Sequence, residues 1–306
     1  MIPARLRDWS PPWADAGSSA LDLSLLLTLL MFVFYAHDPG FPFMVWAPLS
    51  VAVLMAGIVW PRLRHSPYLW MYVTIAMIWA RLPELVVMDN HHYLIAYWCV
   101  AITSCLVAGR EDAAPLVARN ARWLIGLAMA FAVVAKLRSG EFANGDFFEF
   151  LLLAGQRFEA FSELVLRVSA ADLAANQEAV ATLLTPGARE TLVTEATLVG
   201  PARVGGVAVV LSVWTLLIEA AIAVAFLWPG RSEAVRWARN GTLVAFCLTT
   251  YAIATVGAFA WILIIMGVAQ CEKEDRLARF AYGALFLLVL VYGMPWGPWL
   301  RQLVAP

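Results

Sequence analysis

The stretch ARWLIGLAMAFAVVAKLRSGEFANGDFF, residues 121–148, joins a long run of small and apolar side chains to a lysine. The apolar run before Lys136 is long enough to enter a lipid bilayer. Lysine is rare in this chain, because Lys136 and Lys273 are its two lysines and arginine supplies the remaining positive charge. A desolvated lysine can lose its proton and an arginine in effect cannot. Lys136 is therefore a candidate functional residue.

The composition of the whole chain is typical of a membrane protein. Of the 306 residues, 62% are hydrophobic and 14% are charged, and the mean hydropathy is +0.75. Apolar runs long enough for a membrane helix recur, which predicts an all-α, polytopic transmembrane helical bundle of seven or eight spans in one membrane domain, residues 1–306. The predicted spans are 19–36, 42–60, 67–88, 91–108, 120–137, 205–228, 241–268 and 279–299. A net charge of −1 gives no field for nucleic acid.

The distribution of arginine between these spans predicts their orientation. Arginines precede the first span and lie between spans two and three, four and five, and six and seven. The short connections at 37–42 and 89–92 carry no lysine or arginine. Because positive residues concentrate in cytoplasmic loops, the N-terminus is predicted to be cytoplasmic. The bias towards arginine over lysine, with abundant alanine, favours a bacterial protein, and hence an inner membrane. The ends of spans three and five then face the outer side, where they bring the turn at 89–92 and Lys136 to the same side.

The segment 141–200 changes character, since Glu, Gln, Ser and Asp are spaced among Phe, Leu and Val. This pattern predicts short amphipathic helices, separated near Ser169 and at Pro186-Gly187. We interpret the segment as an interfacial helical insertion between spans five and six that caps the outer side.

Ionisable residues inside the predicted spans are costly and face a partner or a cavity. Arg81 and Glu84 lie three residues apart on one helical face, as a structural ion pair or as the lining of a polar pocket. Glu219 lies deep in an apolar run with no partner nearby in sequence. It is either paired across helices, for example with Arg81, or held protonated.

The turn DNHHYL, residues 89–94, places two histidines at the start of span four. An Asp or Asn here caps the first turn of the helix, and the positive helix end favours neutral imidazoles. Residues i and i+1 point apart, and His37 and His65 lie elsewhere, so no metal site is predicted. Helix capping alone accounts for the motif as well. Lys136 likewise has an ordinary interpretation, as a cation at a helix C-terminus that reaches the interface.

Two motifs resemble those of a known family. DNHHYL is similar to the Asn-His-x-Tyr-Leu turn of the vitamin K-dependent γ-carboxylases and their bacterial relatives, the horizontally transferred transmembrane (HTTM) domain proteins. AKLRSGEFANG, residues 135–145, resembles their lysine-leucine stretch. Glu219 matches a later acidic residue in an apolar helix, and GAFAWILI, residues 257–264, resembles a late Gly-x-Phe stretch. The similarity covers residues 20–270, but Cys247 stands where a histidine would align.

The resemblance implies a chemistry. In the carboxylases a lysine deprotonates a reduced quinone, which then reacts with O2 and drives carboxylation of glutamate by CO2. By resemblance, Lys136 is the base and His91 polarises the quinol or its product. The expected cofactor is a vitamin K hydroquinone or menaquinol-like quinol, with no metal, and the acceptor is a peptide or a small molecule. The expected substrate- and quinone-binding residues are Asn90, His92, Tyr93, Trp98, Arg81, Glu84 and Glu219.

Two other functions remain open on the sequence. A noncatalytic quinone- or lipid-binding accessory or immunity membrane protein would use the same pocket without needing the lysine. A small transporter is a third hypothesis, but no inverted repeat is visible in the sequence.

Overall fold

The computed structural model describes residues 19–35, 47–81, 90–184, 197–230, 232–254 and 256–293. It is 85% helical, and no strand occurs among these residues, which confirms the predicted all-α class. The helices are α1 Ala20–Tyr35, α2 Ala47–Val59, α3 Pro61–Arg64, α4 Pro67–Arg81, α5 Asn90–Ala108, α6 Arg110–Arg138, α7 Gly140–Ala143, α8 Asp146–Ala154, α9 Glu159–Leu164, α10 Ala170–Leu184, α11 Arg203–Leu227, α12 Glu233–Tyr251, α13 Gly257–Ala269 and α14 Arg276–Gly293.

Three of the described helices are long and apolar enough to cross a membrane: α5, α6 from Asp112 onward, and α11. They coincide with three predicted spans, 91–108, 120–137 and 205–228. Four further apolar helices are shorter, at Ala20–Phe34, Leu49–Val59, Pro67–Trp79 and Gly257–Ala269. The full count of seven or eight spans stays a prediction.

The predicted span 241–268 is not one continuous helix in the structure, because the helix is interrupted within it. Helix α12 ends at Tyr251 and α13 begins at Gly257. A tight turn lies between them, in which Ala254 N–H donates to Thr250 C=O at 2.8 Å. Thr249, Thr250 and Ile253 precede or form this turn, and β-branched residues are poorer helix formers than Ala or Leu. A hydropathy average does not detect this interruption, because the residues of the turn are mostly apolar, like those of the helices.

The chain divides into two compact units. Unit one comprises Met1–Ile125 with Trp261–Phe286, and unit two comprises Gly126–Ala260 with Leu287–Pro306. In unit one, Gly57 lets α2 approach α1 and α4, since a Cβ there would lie 2.9 Å from Leu29 and 2.8 Å from Leu69. The prediction of a single membrane domain is neither supported nor opposed by this division.

A buried arginine ties the connection after α2 to α1 in unit one. Arg64, 1% exposed, donates through Nε and Nη2 to the Asp22 carboxylate at 2.9 and 3.0 Å. Its Nη1 donates to Ile58 C=O at 3.0 Å, and His65 Nε2 lies 2.8 Å from Asp22 Oδ1. This two-pronged arrangement satisfies most of the guanidinium donors away from water.

Unit two is built along α11. The second half of α6, then α7 and α8, run antiparallel to it, because residue numbers fall along α11 as they rise along the partner segment. The contacting pairs are Gly126 with Leu227, Lys136 with Glu219, Gly145 with Val209, Glu149 with Gly205, and Leu153 with Gly200. Helix α8 therefore packs along the N-terminal half of α11, and the second half of α6 touches the C-terminal half of α11 through Gly126 and Lys136.

The described part of the segment 141–200 begins with helices that pack on α11. Its first part, α7 and α8, lies beside the N-terminal half of α11 and not beyond the end of that helix. Helices α9 and α10 pack on α8, where Asn176 Nδ2 donates to Leu153 C=O at 3.1 Å and Val199 C=O at 2.8 Å. The prediction that the segment 141–200 caps the outer side stays a prediction.

Candidate functional site

The two candidate site residues of unit two meet. Lys136 lies in the last turn of α6, and its Nζ donates to Glu219 Oε1 in α11. Their side chains are 23% and 7% exposed. The prediction that Glu219 pairs across helices is confirmed. Its partner is Lys136, whereas Arg81 was the example named from the sequence.

The pair lies within the apolar length of α11. Glu219 is eight residues from the helix end at Leu227, which corresponds to about 12 Å at the α-helical rise. The neighbouring buried residues Ile218, Ile222 and Ala223 are apolar. Desolvating two charges costs several kcal/mol per ion, and their attraction offsets this only with good geometry. Such a pair is unusual in an apolar helix and indicates either a tie between helices or a functional site.

An aromatic ring completes the surroundings of the amine. Lys136 Nζ lies 5.3 Å from the ring centroid of Phe142, within cation–π range. Phe142 is 3% exposed and packs against Phe147 and Phe148, with ring centroids 5.4 Å away in both cases. The ring covers the ammonium with apolar surface while its face stabilises the charge.

Two polar atoms on one face of α11 are buried, one of them in this site. Glu219 Oε2 and Ser212 Oγ have no hydrogen-bond partner within the part of the chain that the structure describes. Ser212 is 1% exposed and lies seven residues before Glu219, so the two side chains share one helical face about 10 Å apart. A buried oxygen without a donor is costly. Glu219 Oε2 is therefore an acceptor that a bound hydroxyl group or water could satisfy.

The interruption between α6 and α8 brings the pair and the ring together. Asn144 Oδ1 accepts from Asp146 N–H at 3.1 Å and turns the chain into α8. Between them, Gly145 has φ of +94°, a left-handed conformation that favours glycine. It also lies against the backbone of Val209 in α11. The turn therefore requires glycine at position 145, the last residue of the AKLRSGEFANG motif.

Gly145→Ala is expected to lower the free energy of unfolding by about 2–4 kcal/mol. The new Cβ would be strained by the positive φ and would lie 2.9 Å from Val209 Cγ2 and 3.0 Å from its backbone nitrogen. Denaturation by SDS in bicelles would measure the loss. Gly140→Ala is the matched control, because a Cβ there meets nothing within 4 Å. Equal stability of the two variants would contradict the close packing of this turn on α11.

The DNHHYL motif lies in unit one, at the start of α5. Asn90 is the first residue of the helix, and His91, His92 and Tyr93 are half-buried in its first turn. The two imidazole rings do not point apart as expected, because their centroids are 4.1 Å apart. Asp89 lies outside the described residues. The meeting of Lys136 with His91 would join the two units and stays a prediction.

The remaining predicted site residues fall in different places. Trp98 is completely buried in unit one, and its indole N–H donates to Thr28 Oγ1 at 3.1 Å, so it is a core residue packed against α1. Arg81 ends α4, but its side chain lies outside the described part of the structure, as does all of Glu84. In the described residues no group of three or more His, Cys, Asp or Glu is placed to hold a metal ion.

The sequence reasoning missed Phe142, which belongs to the unit-two site, and the buried Ser212 on the same helical face as Glu219. Phe142 lies within the motif AKLRSGEFANG, six residues after Lys136. Residues six apart do not meet on one continuous helix. The contact between them arises because α6 ends at Arg138 and the chain turns. Ser212 was detectable, because an interval of seven residues puts it on the face of Glu219.

No family model, curated protein or solved structure matches this chain. The resemblance to the γ-carboxylase and HTTM proteins therefore depends on the motifs alone.

Proposed function

We propose that this protein is a membrane enzyme of the γ-carboxylase-like (HTTM) type, in which Lys136 and Glu219 exchange a proton with a reduced quinone. The observation that carries the proposal is the Lys136–Glu219 pair inside an apolar helix pair, with one carboxylate oxygen unsatisfied among the described residues. In this proposal the protein is a multi-pass protein of a bacterial inner membrane. Its N-terminus is cytoplasmic, and its site faces the outer side.

The pair can hold a proton in two arrangements of equal net charge. Transfer from Lys136 Nζ to Glu219 Oε1 converts an ammonium and a carboxylate into a neutral amine and a carboxylic acid. Because the total charge is unchanged, a dry environment does not penalise the transfer as it penalises the creation of a single charge. The neutral amine is then a base that can accept a hydroxyl proton.

The residues fit a quinol in chemical type. A menaquinol-like cofactor would supply two phenolic hydroxyls and the capacity to react with O2, with CO2 as the further co-substrate. Glu219 Oε2 can accept a hydrogen bond from a hydroxyl, Lys136 can take its proton, and Phe142 offers an apolar face against a ring. The membrane admits such a lipid-soluble molecule directly, and the acceptor that is finally modified is a peptide or a small molecule.

Lys136→Arg separates this proposal from a structural role. Arginine keeps the positive charge and the ion pair but in effect does not release a proton. We expect purified protein in lipid nanodiscs to consume oxygen with menaquinol as the probe, and Lys136→Arg to lower that rate at least about 100-fold. Menaquinol binding, followed by tryptophan quenching, should change little.

Lys273→Arg is the matched control, because it replaces the other lysine at an exposed loop position. Unchanged oxygen uptake by Lys136→Arg would overturn the role of the amine. If menaquinol binds but neither wild type nor variant consumes oxygen, the noncatalytic quinone- or lipid-binding accessory or immunity protein is the better assignment.

A further inference from the structure

Unit one contains a pocket that plays no part in the proposed chemistry. Its volume is about 420 Å³. It lies where the start of α1, the short helix α3, the end of α5 and the first turn of α6 come together. Its lining residues are Ser19, Leu21, Pro61, Arg62, His65, Leu106, Ala113 and Ala114.

The polar side of this pocket carries a positive charge that the described part of the protein does not neutralise. Arg62 is exposed and forms no hydrogen bond or ion pair with any residue that the structure describes. The nearby carboxylate of Asp22 is taken up by Arg64 and by the His65 ring. Asp112 precedes the lining residue Ala113, but it is exposed to solvent. The Arg62 guanidinium is thus available for an anion.

The side chains that flank α3 are of the type found at a membrane–water interface. The helix joins two apolar helices, α2 and α4, and exposed aromatic side chains lie on both sides of it. Trp60 is 61% exposed and Tyr68 is 79% exposed. Tryptophan and tyrosine concentrate at the depth of lipid headgroups, where their polar atoms meet water and their rings meet acyl chains.

The other side of the pocket is apolar. Leu21, Leu106 and Ala114 face it together with Pro61. A free inorganic anion gains nothing from such a surface, whereas the glycerol and first methylene groups of a phospholipid do. Guanidinium groups bind phosphate with two parallel hydrogen bonds.

We propose that this pocket binds the phosphate of an anionic phospholipid, with Arg62 as its principal ligand and the Leu21–Leu106 side against the glycerol and upper acyl chain. The site is independent of the proposed quinol chemistry, because it uses other residues and lies wholly within unit one. Arg64 and Asp22 form the buried support that holds the connection carrying Arg62 in place.

Lipid retention tests the site. The full-length protein would be purified from nanodiscs of phosphatidylcholine with a minor fraction of phosphatidylglycerol, and retained lipid would be counted by native mass spectrometry. We expect phosphatidylglycerol to be enriched on wild type and Arg62→Gln to weaken that binding about fivefold. Ala114→Leu, which fills the apolar side, should also weaken it.

Arg119→Gln is the matched control, because Arg119 is another exposed arginine of unit one outside the lining. Equal retention by wild type, Arg62→Gln and Ala114→Leu would overturn the proposal, as would equal retention of phosphatidylcholine and phosphatidylglycerol. Arg62-dependent binding of inorganic phosphate in lipid-free detergent, with no enrichment of lipid, would overturn the lipid assignment in favour of a soluble phosphate.

Discussion

Lys136→Met is expected to lower the free energy of unfolding by about 3 kcal/mol, because it leaves the Glu219 carboxylate buried without its cation. Glu219 is 7% exposed, whereas Lys136 is 23% exposed. Glu219→Gln should therefore cost less, about 1–2 kcal/mol, since the remaining ammonium is the less buried of the two groups and the amide still accepts a hydrogen bond. The asymmetry follows directly from the difference in burial.

The double variant Lys136→Met/Glu219→Met completes the test. Replacing a whole buried pair by apolar side chains is often neutral for stability, so the double variant should lie within about 1 kcal/mol of wild type. SDS titration in bicelles would give all the stabilities. If the losses of the single variants simply add in the double variant, Lys136 and Glu219 do not interact and do not form a site.

This cycle also separates stability from chemistry. The double variant should fold nearly as well as wild type, but it lacks both groups that exchange the proton. Oxygen uptake with menaquinol should therefore be lost in the stable double variant. A structural tie between α6 and α11 alone would instead leave activity intact once stability is restored.

Asp22→Asn is expected to lower the free energy of unfolding by about 3 kcal/mol, because Arg64 would lose its carboxylate while 1% exposed. An asparagine offers one oxygen in place of two, so the two-pronged contact with Nε and Nη2 is broken. The same titration in bicelles would measure the effect.

Asp112→Asn is the matched control for Asp22→Asn, because Asp112 is an exposed acidic residue of the same unit. Its replacement should change stability by less than about 0.5 kcal/mol. Similar values for the two substitutions would show that Arg64 draws little stability from Asp22. Since Arg64 supports the connection that carries Arg62, Asp22→Asn should also reduce phosphatidylglycerol retention.

Local sequence features predicted a substantial part of this fold. The all-α class and three long apolar helices follow from hydropathy over windows of about 20 residues, which depends on neighbouring side chains alone. The same features marked Lys136 and Glu219 as unusual, because a rare lysine and an isolated acid in apolar runs are visible without coordinates. The break after Tyr251 was missed, since it depends on helix propensity and not on apolarity.

The amino-acid sequence by itself determined that this chain is helical and strongly apolar, and that its ionisable residues in apolar runs need partners. Only the tertiary structure decided which partners they have. Lys136 and Glu219 are 83 positions apart. They meet because α7 and α8 pack antiparallel on α11 and carry the end of α6 to Glu219, and Gly145 permits this packing by its close approach to Val209. Such a register is a property of two packed surfaces, so no pattern within either segment contains it.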